Sequence, residues 1–265
     1  MSQAKPFVKW VGGKRAIINE LVRRLPNKIN NYYEPFCGGG AFFYEIANKI
    51  NYNYLSDLNV ELVVSYNVIK NNPDRLLELL QIHQKNHCSE YFYKIREMQE
   101  LTDPIENTAR FIYLLKTCFN GLYRVNKSGN FNAPCGKYKN PKIADFENIK
   151  AVSDVLQNVE IKYQSFEKIA PQKGDFVYFD PPYHDTFTGY VSSGFNEEMQ
   201  IKLRDFAIEL SQKGVNVMLS NSDTPFINDL YKNHFKIEKI PVPRMINCKG
   251  DGRGAVLETL ITSYL

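Results

Sequence analysis

"YYEPFCGGGAFFYEIANKINYNYLSD", residues 32–57, is the stretch from which the fold is read. "YYEPF" has the character of a short strand, and the glycines of "CGGG" break it. "AFFYEIANKI" then spaces its apolar residues as a helix does, and "NYNYLSD" is a second strand ending at Asp57. Strand, glycine turn, helix and strand together open an α/β sheet. Moving outward, the same alternation returns near Asp145. "VEIKYQ", "DFVYF", "VNVMLSNS", "FKIEKIPV" and "VLETLITSY" read as strands, with helices at "EEMQIKLRDFAIELSQKG" and "PFINDLYKN". The intervening chain differs. From about Asn59 to Cys118 the patterns are helical, and "ENTARFIYLLKTC" gathers Phe111, Ile112, Leu114 and Leu115 on one buried face. "GLYRVNKSGNFNAP" follows as a β-hairpin around Lys-Ser-Gly. The expectation is an α/β domain, Rossmann-like in plan, made of residues 1–60 and 145–265. It is split by a helical plus β-hairpin insertion at 61–144.

The bulk numbers are those of an ordinary globular chain: 265 residues, 43% hydrophobic and 23% charged. The apolar runs are too short to span a bilayer, and "MSQAKPFVKW" lacks the apolar core of a secretory leader. Five dispersed cysteines without Cys-x-x-Cys spacing suit free thiols in a reducing, cytoplasmic setting. Net charge is only +4, but residues 107–144 hold seven Lys/Arg and no Asp or Glu. Such a run suits a phosphate backbone or a solvated basic face, and charge alone does not choose.

In an open α/β sheet, ligands gather outside the carboxyl ends of the strands. Three features fall there. The glycine turn allows close approach to backbone at a helix N-terminus. Asp57 ends the next strand at a spacing that suits ribose hydroxyls, or a helix N-cap. Asp180-Pro181-Pro182-Tyr183 ends the apolar run "FVYF" with a carboxylate and a stiffened backbone. By itself it is a strand-to-loop turn; together with Phe36-x-Gly38-x-Gly40 it is a chemical signature. Two other groupings carry less. His184 adjoins the motif as a conceivable general base, and His83, His87 and Cys88 have the spacing of a metal pair on a helix. Neither has a supporting pattern, and no metal is expected.

The order Phe-x-Gly-x-Gly, insertion, Asp-Pro-Pro-Tyr resembles the DNA amino-methyltransferases that use S-adenosylmethionine. Four blocks narrow it: "FVKWVGGKR" (7–15), "YYEPFCGGGAFF" (32–43), "FNGLYRVNKSGNFNAPCGKYKNP" (119–141) and "VYFDPPY" (177–183). These are similar to the Dam-type DNA adenine-N6 methyltransferases, nearly end to end. The resemblance implies that Trp10, Lys14, Pro35, Phe36, Gly38, Gly40, Asp57, Phe166 and Asp180 hold S-adenosylmethionine, with Gly12 and Gly13 beside them. It implies that Lys9, Asn120, Leu122, Arg124 and Pro134 meet double-stranded DNA, that Phe119 wedges into the base stack, and that Lys137 and Lys139 take phosphates. Residues 61–144 become a target-recognition domain. Asp180, Pro181 and Tyr183 become the catalytic group acting on adenine N6, with Phe187 covering the flipped base. The implied target is GATC or a related site, read by a monomer in bacterial, phage or viral service. The alternatives are another recognition sequence within a restriction-modification system, or an RNA or protein amine substrate. One departure stands out: "HDTFTGY" follows the motif directly, where the family carries a longer loop.

Overall fold

The computed structural model describes residues 3–98, 101–185, 195–242 and 256–264. Helix α1 (Ile18–Arg23) precedes strand β1 (Asn31–Glu34), the glycine turn, α2 (Ala41–Ile46) and β2 (Tyr52–Asp57). Helices α3 (Val60–Asn71), α4 (Pro73–Asn86), α5 (Ser89–Glu97) and α6 (Pro104–Thr117) come next, and α7 (Phe146–Leu156) follows an irregular segment. The remainder runs β3 (Val159–Tyr163), β4 (Phe176–Phe179), α8 (Glu197–Gln212), β5 (Asn216–Ser222), α9 (Pro225–Tyr231), β6 (Lys236–Val242) and β7 (Val256–Thr262). The fold is α/β, built on one seven-stranded sheet ordered β3-β2-β1-β4-β5-β7-β6. The first five of these are parallel, and β7 lies antiparallel between β5 and β6.

Local chemistry explains the boundaries. Pro35 has no N–H for the ladder, so β1 ends at Glu34. β4 is buried on both faces, as a continuous apolar run in a central parallel strand must be. Side chains alternate across the sheet. Tyr32, Phe176 and Tyr178 enter the core shared with α2, α3 and α6, while Tyr33, Val177 and Phe179 enter the core under α8. Asn59, Asp103, Asn196 and Thr224 accept backbone N–H groups at the starts of α3, α6, α8 and α9. Helix α3 packs on β2 and β3 as well as on α4 and α6.

Two features were not read from the sequence. α1 and α7 went unpredicted, although α7 carries its own cap, Asp145, and buries Ile149, Val152 and Leu156. The expected hairpin forms without regular strands. Its arms touch at two isolated antiparallel bridges, Cys118 with Cys135 and Val125 with Phe131. The left-handed backbone at Asn120 (φ 55) and Gly121 (φ 65), and the missing donor at Pro134, interrupt the ladder. The tip is held by Asn126, whose side chain accepts from Ser128 and Asn130 N–H at 3.0 Å each.

Candidate active site

The carboxyl ends of β1, β2 and β4 converge, and the signature residues meet there. Asp180 follows the last residue of β4, and its Oδ1 lies 2.7 Å from Lys14 Nζ. Lys14 also donates to the Gly12 carbonyl at 2.7 Å, and its ammonium sits 4.7 Å from the centre of the Tyr183 ring. Burial raises the Asp180 pKa to about 6, with Lys14 opposing and the Glu258 charge adding to the rise. Asp180 is therefore mostly ionised at neutral pH. Two buried amides hold the backbone beyond it. Gln200 donates to the Pro182 carbonyl and accepts from Asn221, both at 3.0 Å, and Asn221 Oδ1 accepts the His184 N–H at 3.0 Å. Among the described residues no hydrogen bond reaches the Pro181 carbonyl. A carboxylate and an open carbonyl, one residue apart on a clamped backbone, make a paired acceptor for an amine.

Around the glycine turn the reasons for glycine are explicit. At Gly38 (φ +47) an added Cβ would lie 2.8 Å from Trp10 Cδ1, and at Gly40 (φ +68) 2.7 Å from Tyr66 Oη. Trp10 and Tyr66 thus pack onto the turn, and Tyr66 Oη donates to the Gly38 carbonyl at 3.0 Å. Asp57 Oδ2 accepts the Gly38 N–H at 3.0 Å, and Oδ1 accepts the Asn59 N–H at 2.9 Å. The cap of α3 is Asn59, so Asp57 is not the N-cap that its position allowed. Each Asp57 oxygen keeps capacity for another donor, which fits the hydroxyls of a ribose. Pro35 is buried at the turn, whereas Phe36 is half-buried. Phe166 is buried and stacks on Phe36, ring centres 5.6 Å apart. At Gly12 (φ +80) an added Cβ would meet nothing within 4 Å, so the backbone beside Lys14 is open.

Residues 10–246 match the family described as D12 class N6 adenine-specific DNA methyltransferase. The chain belongs to this family. It is 43% identical to the type II methyltransferase M1.LlaDCHI of Lactococcus lactis subsp. cremoris, over 98% of this chain and 95% of that one. Identity is 42% with the type II methyltransferase M.MjaIII of Methanocaldococcus jannaschii, over 99% of this chain and 100% of that one. It is 31% with the DNA adenine methylase of Escherichia coli strain K12, over 98% and 95%. The protein is thus an adenine-N6 DNA methyltransferase, and S-adenosylmethionine is its methyl donor. No helix among the described residues is long and apolar enough to cross a membrane.

In this D12 methyltransferase the residues expected to face DNA, Lys9 apart, lie on the irregular chain between α6 and α7. Phe119 is 54% exposed and precedes the left-handed Asn120. Its N–H donates to the Pro134 carbonyl at 2.9 Å, which sets Pro134 alongside. Lys9 lays its stem against Gly121, where a Cβ would meet Lys9 Cδ at 2.8 Å, and its ammonium is 5.9 Å from the centre of the Tyr138 ring. Leu122 is half-buried, and Lys127, Lys137 and Lys139 are exposed. Arg124 donates Nε to Asn132 Oδ1 at 2.6 Å and Nη2 to the Asn132 carbonyl at 2.7 Å. The basic run is not one continuous face. Arg110 is 6% exposed and donates to the carbonyls of Ile95 and Arg96, while Lys142 pairs with Asp145.

The distractors have structural partners. His184 places Nδ1 3.0 Å from Thr224 Oγ1 and stacks on Phe226. His83 and His87 pair with the hydroxyls of Tyr91 and Tyr113 at 2.8 and 2.9 Å. Among the described residues no group of three or more His, Cys, Asp or Glu could hold a metal ion. Sequence reasoning missed Gln200, Asn221, Glu34, Tyr123 and Glu258. Glu34 and Glu258 had a signal: each is a carboxylate inside an otherwise uncharged strand, "YYE" and "VLETLIT". Phe187 and the short loop after the motif lie outside the described residues.

Proposed function

We propose that this enzyme methylates an adenine turned out of duplex DNA into the pocket at the end of β4. The observation that carries this is the Asp180 carboxylate beside the Pro181 carbonyl, which takes no hydrogen bond among the described residues. An exocyclic amine is a weak nucleophile because its lone pair is delocalised into the ring. Two acceptors for its two hydrogens localise that pair and favour the pyramidal nitrogen of the transition state. Pro181 and Pro182 fix the direction of the carbonyl and offer no competing donor. Tyr183 provides a flat face for the extruded base, whose removal from the stack is the step before chemistry. When bound, S-adenosylmethionine supplies the electrophilic methyl. Asp57 would take its ribose, the Gly38–Gly40 turn its methionine end with Trp10 and Lys14, and the Phe36–Phe166 pair would line its adenine. The amine's surplus proton leaves after transfer.

Residues 61–144 serve as the recognition unit in this reading. Lys9, Asn120, Leu122, Arg124 and Pro134 approach bases, Phe119 occupies the vacated stack, and Lys137 and Lys139 hold phosphates. The target is GATC or a related sequence, the enzyme acts as a monomer, and it works in the cytoplasm beside DNA. The names of the two relatives above 40% identity favour the companion of a restriction system over replication control. Expression in a host lacking adenine methylation, followed by single-molecule methylome sequencing, tests the reading. One fully methylated motif containing N6-methyladenine is expected, and an unmodified genome from well-folded enzyme would overturn it.

A further inference from the structure

The Asp-Pro-Pro-Tyr segment has an anchor on the far side of the sequence. Tyr183 Oη donates to Glu258 Oε2 at 2.8 Å, across 75 residues of chain. Glu258 is on β7, the strand inserted between β5 and β6, and is in register with Ser222 on one side and Ile240 on the other. Its backbone is therefore among the most constrained in the sheet, whereas Tyr183 lies beyond the end of β4 in irregular chain. A tyrosine ring turns about two torsions. Holding its hydroxyl on a carboxylate sets the first torsion, and with it the place where the ring stands. An ionised carboxylate only accepts, so the hydroxyl must point to Glu258 and present the ring's face elsewhere. Hydrogen bonds to charged groups are shorter and stronger than neutral ones. The Lys14 ammonium, paired with Asp180, lies 4.7 Å from the ring centre. Glu258, Tyr183, Lys14 and Asp180 thus form one chain of contacts, with Glu258 as its fixed end.

We infer that Glu258 is a positioning residue for methyl transfer: it holds the Tyr183 ring in the place where the target adenine must stack. This rests on the reading of Tyr183 as the platform for the base, and the test separates the two. Glu258→Gln, Tyr183→Phe, their double variant and Tyr183→Ala are compared with the parent in single-turnover methylation of a duplex. Affinity for S-adenosylmethionine and for DNA is measured alongside. The duplex also carries 2-aminopurine at the target in a parallel fluorescence experiment.

Tyr183→Phe is expected to slow transfer about tenfold and Glu258→Gln, which keeps an acceptor but loses its charge, by less, both affinities staying within twofold. The double variant should be no slower than Tyr183→Phe, because Glu258→Gln weakens and Tyr183→Phe removes the same bond. Fluorescence of the extruded base should rise in both, as its stacking loosens. Tyr183→Phe leaves β7 untouched, so it reads the bond even if Glu258→Gln disturbs folding. Parent-like rates in Tyr183→Phe, or losses that multiply in the double variant, would overturn the inference. Tyr183→Ala reports on the underlying reading: a parent-like rate there would remove the platform itself, whatever Glu258 does.

Discussion

Asp180 is asked to be a base-like acceptor while sitting where water is scarce. Burial lifts its pKa to about 6, and the Lys14 charge at 2.7 Å limits the rise. The ionised carboxylate is the stronger acceptor, and its charge favours the positive charge that develops on the nitrogen. Transfer should therefore fail as pH drops through about 6 and level off above it. Removing Lys14 removes the charge that favours ionisation, so in Lys14→Met the acid limb of kcat/KM moves to higher pH. The measurement is a pH profile at saturating S-adenosylmethionine, and an unmoved limb would detach Lys14 from Asp180. Asp180→Ala, which keeps the prolines, should lose about 100- to 1000-fold in single-turnover rate, the usual cost of a transition-state contact. Near-parental turnover would rule out the assignment. The same residue scale shows why the glycines are fixed. Trp10 and Tyr66 occupy the space that side chains at Gly38 and Gly40 would need, so alanine there costs packing before any ligand arrives.

In the proposed reading the hairpin of residues 119–134 meets the bases, and its core is more tied than its composition suggests. Arg124 spends Nε and one Nη2 hydrogen on Asn132, which leaves Nη1 and the second Nη2 hydrogen for a partner. A guanidinium so clamped suits the O6 and N7 of a guanine, which need two parallel donors in a set direction. Arg124→Ala should therefore cost about 1–3 kcal/mol on the cognate duplex and little on one altered at a single guanine. Equal losses on all duplexes, with a salt slope lower by about one, would make it a phosphate clamp instead. Trp10 stacks on Tyr123 with ring centres 5.3 Å apart, so the glycine turn and the hairpin share a wall. Trp10→Ala is expected to weaken S-adenosylmethionine binding and also blunt cognate discrimination, read by paired titrations.

At this scale the sequence was informative where local pattern decides. The seven strands, the glycine turn and the helices from α2 to α6 follow from period and punctuation. The hairpin's broken ladder follows from Asn120, Gly121 and Pro134, all visible in the sequence, but their joint effect depends on Lys9 and Leu115 packing against Gly121. The Asn132 clamp, the Gln200–Asn221 bracket and the Glu258 anchor join residues 8 to 75 apart. No periodicity carries such information.

Over the whole molecule, the buried Glu34 and the partly buried Asp180 and His83 each make stability depend on pH. Glu34 is 3% exposed at the end of β1, accepts from Tyr32 Oη at 2.7 Å, and is raised by burial to about 8. Asp180 is raised to about 6, and burial lowers His83 to about 4. The signs follow from proton counts in the folded and unfolded chains. His83 holds fewer protons when folded, so its stabilising share is lost as pH falls from about 6.5 to about 4. Glu34 and Asp180 hold more protons when folded. Their shares are complete at low pH and are lost as pH rises from their unfolded values to about 8 and about 6. Below pH 6.5 the two trends oppose each other. Between about 6.5 and 8 Glu34 acts without opposition from the other two, and a shift across that window is worth roughly 2 kcal/mol. The fold should therefore weaken on going from neutral to mildly alkaline buffer. Glu34→Gln keeps the acceptor for Tyr32 and removes the ionisation. Its melting temperature should match the parent's near pH 4 and exceed it increasingly toward about pH 8. Parallel melting curves for the two proteins across that range would show that Glu34 is already ionised in the folded state, with Lys14 as the charge that permits it.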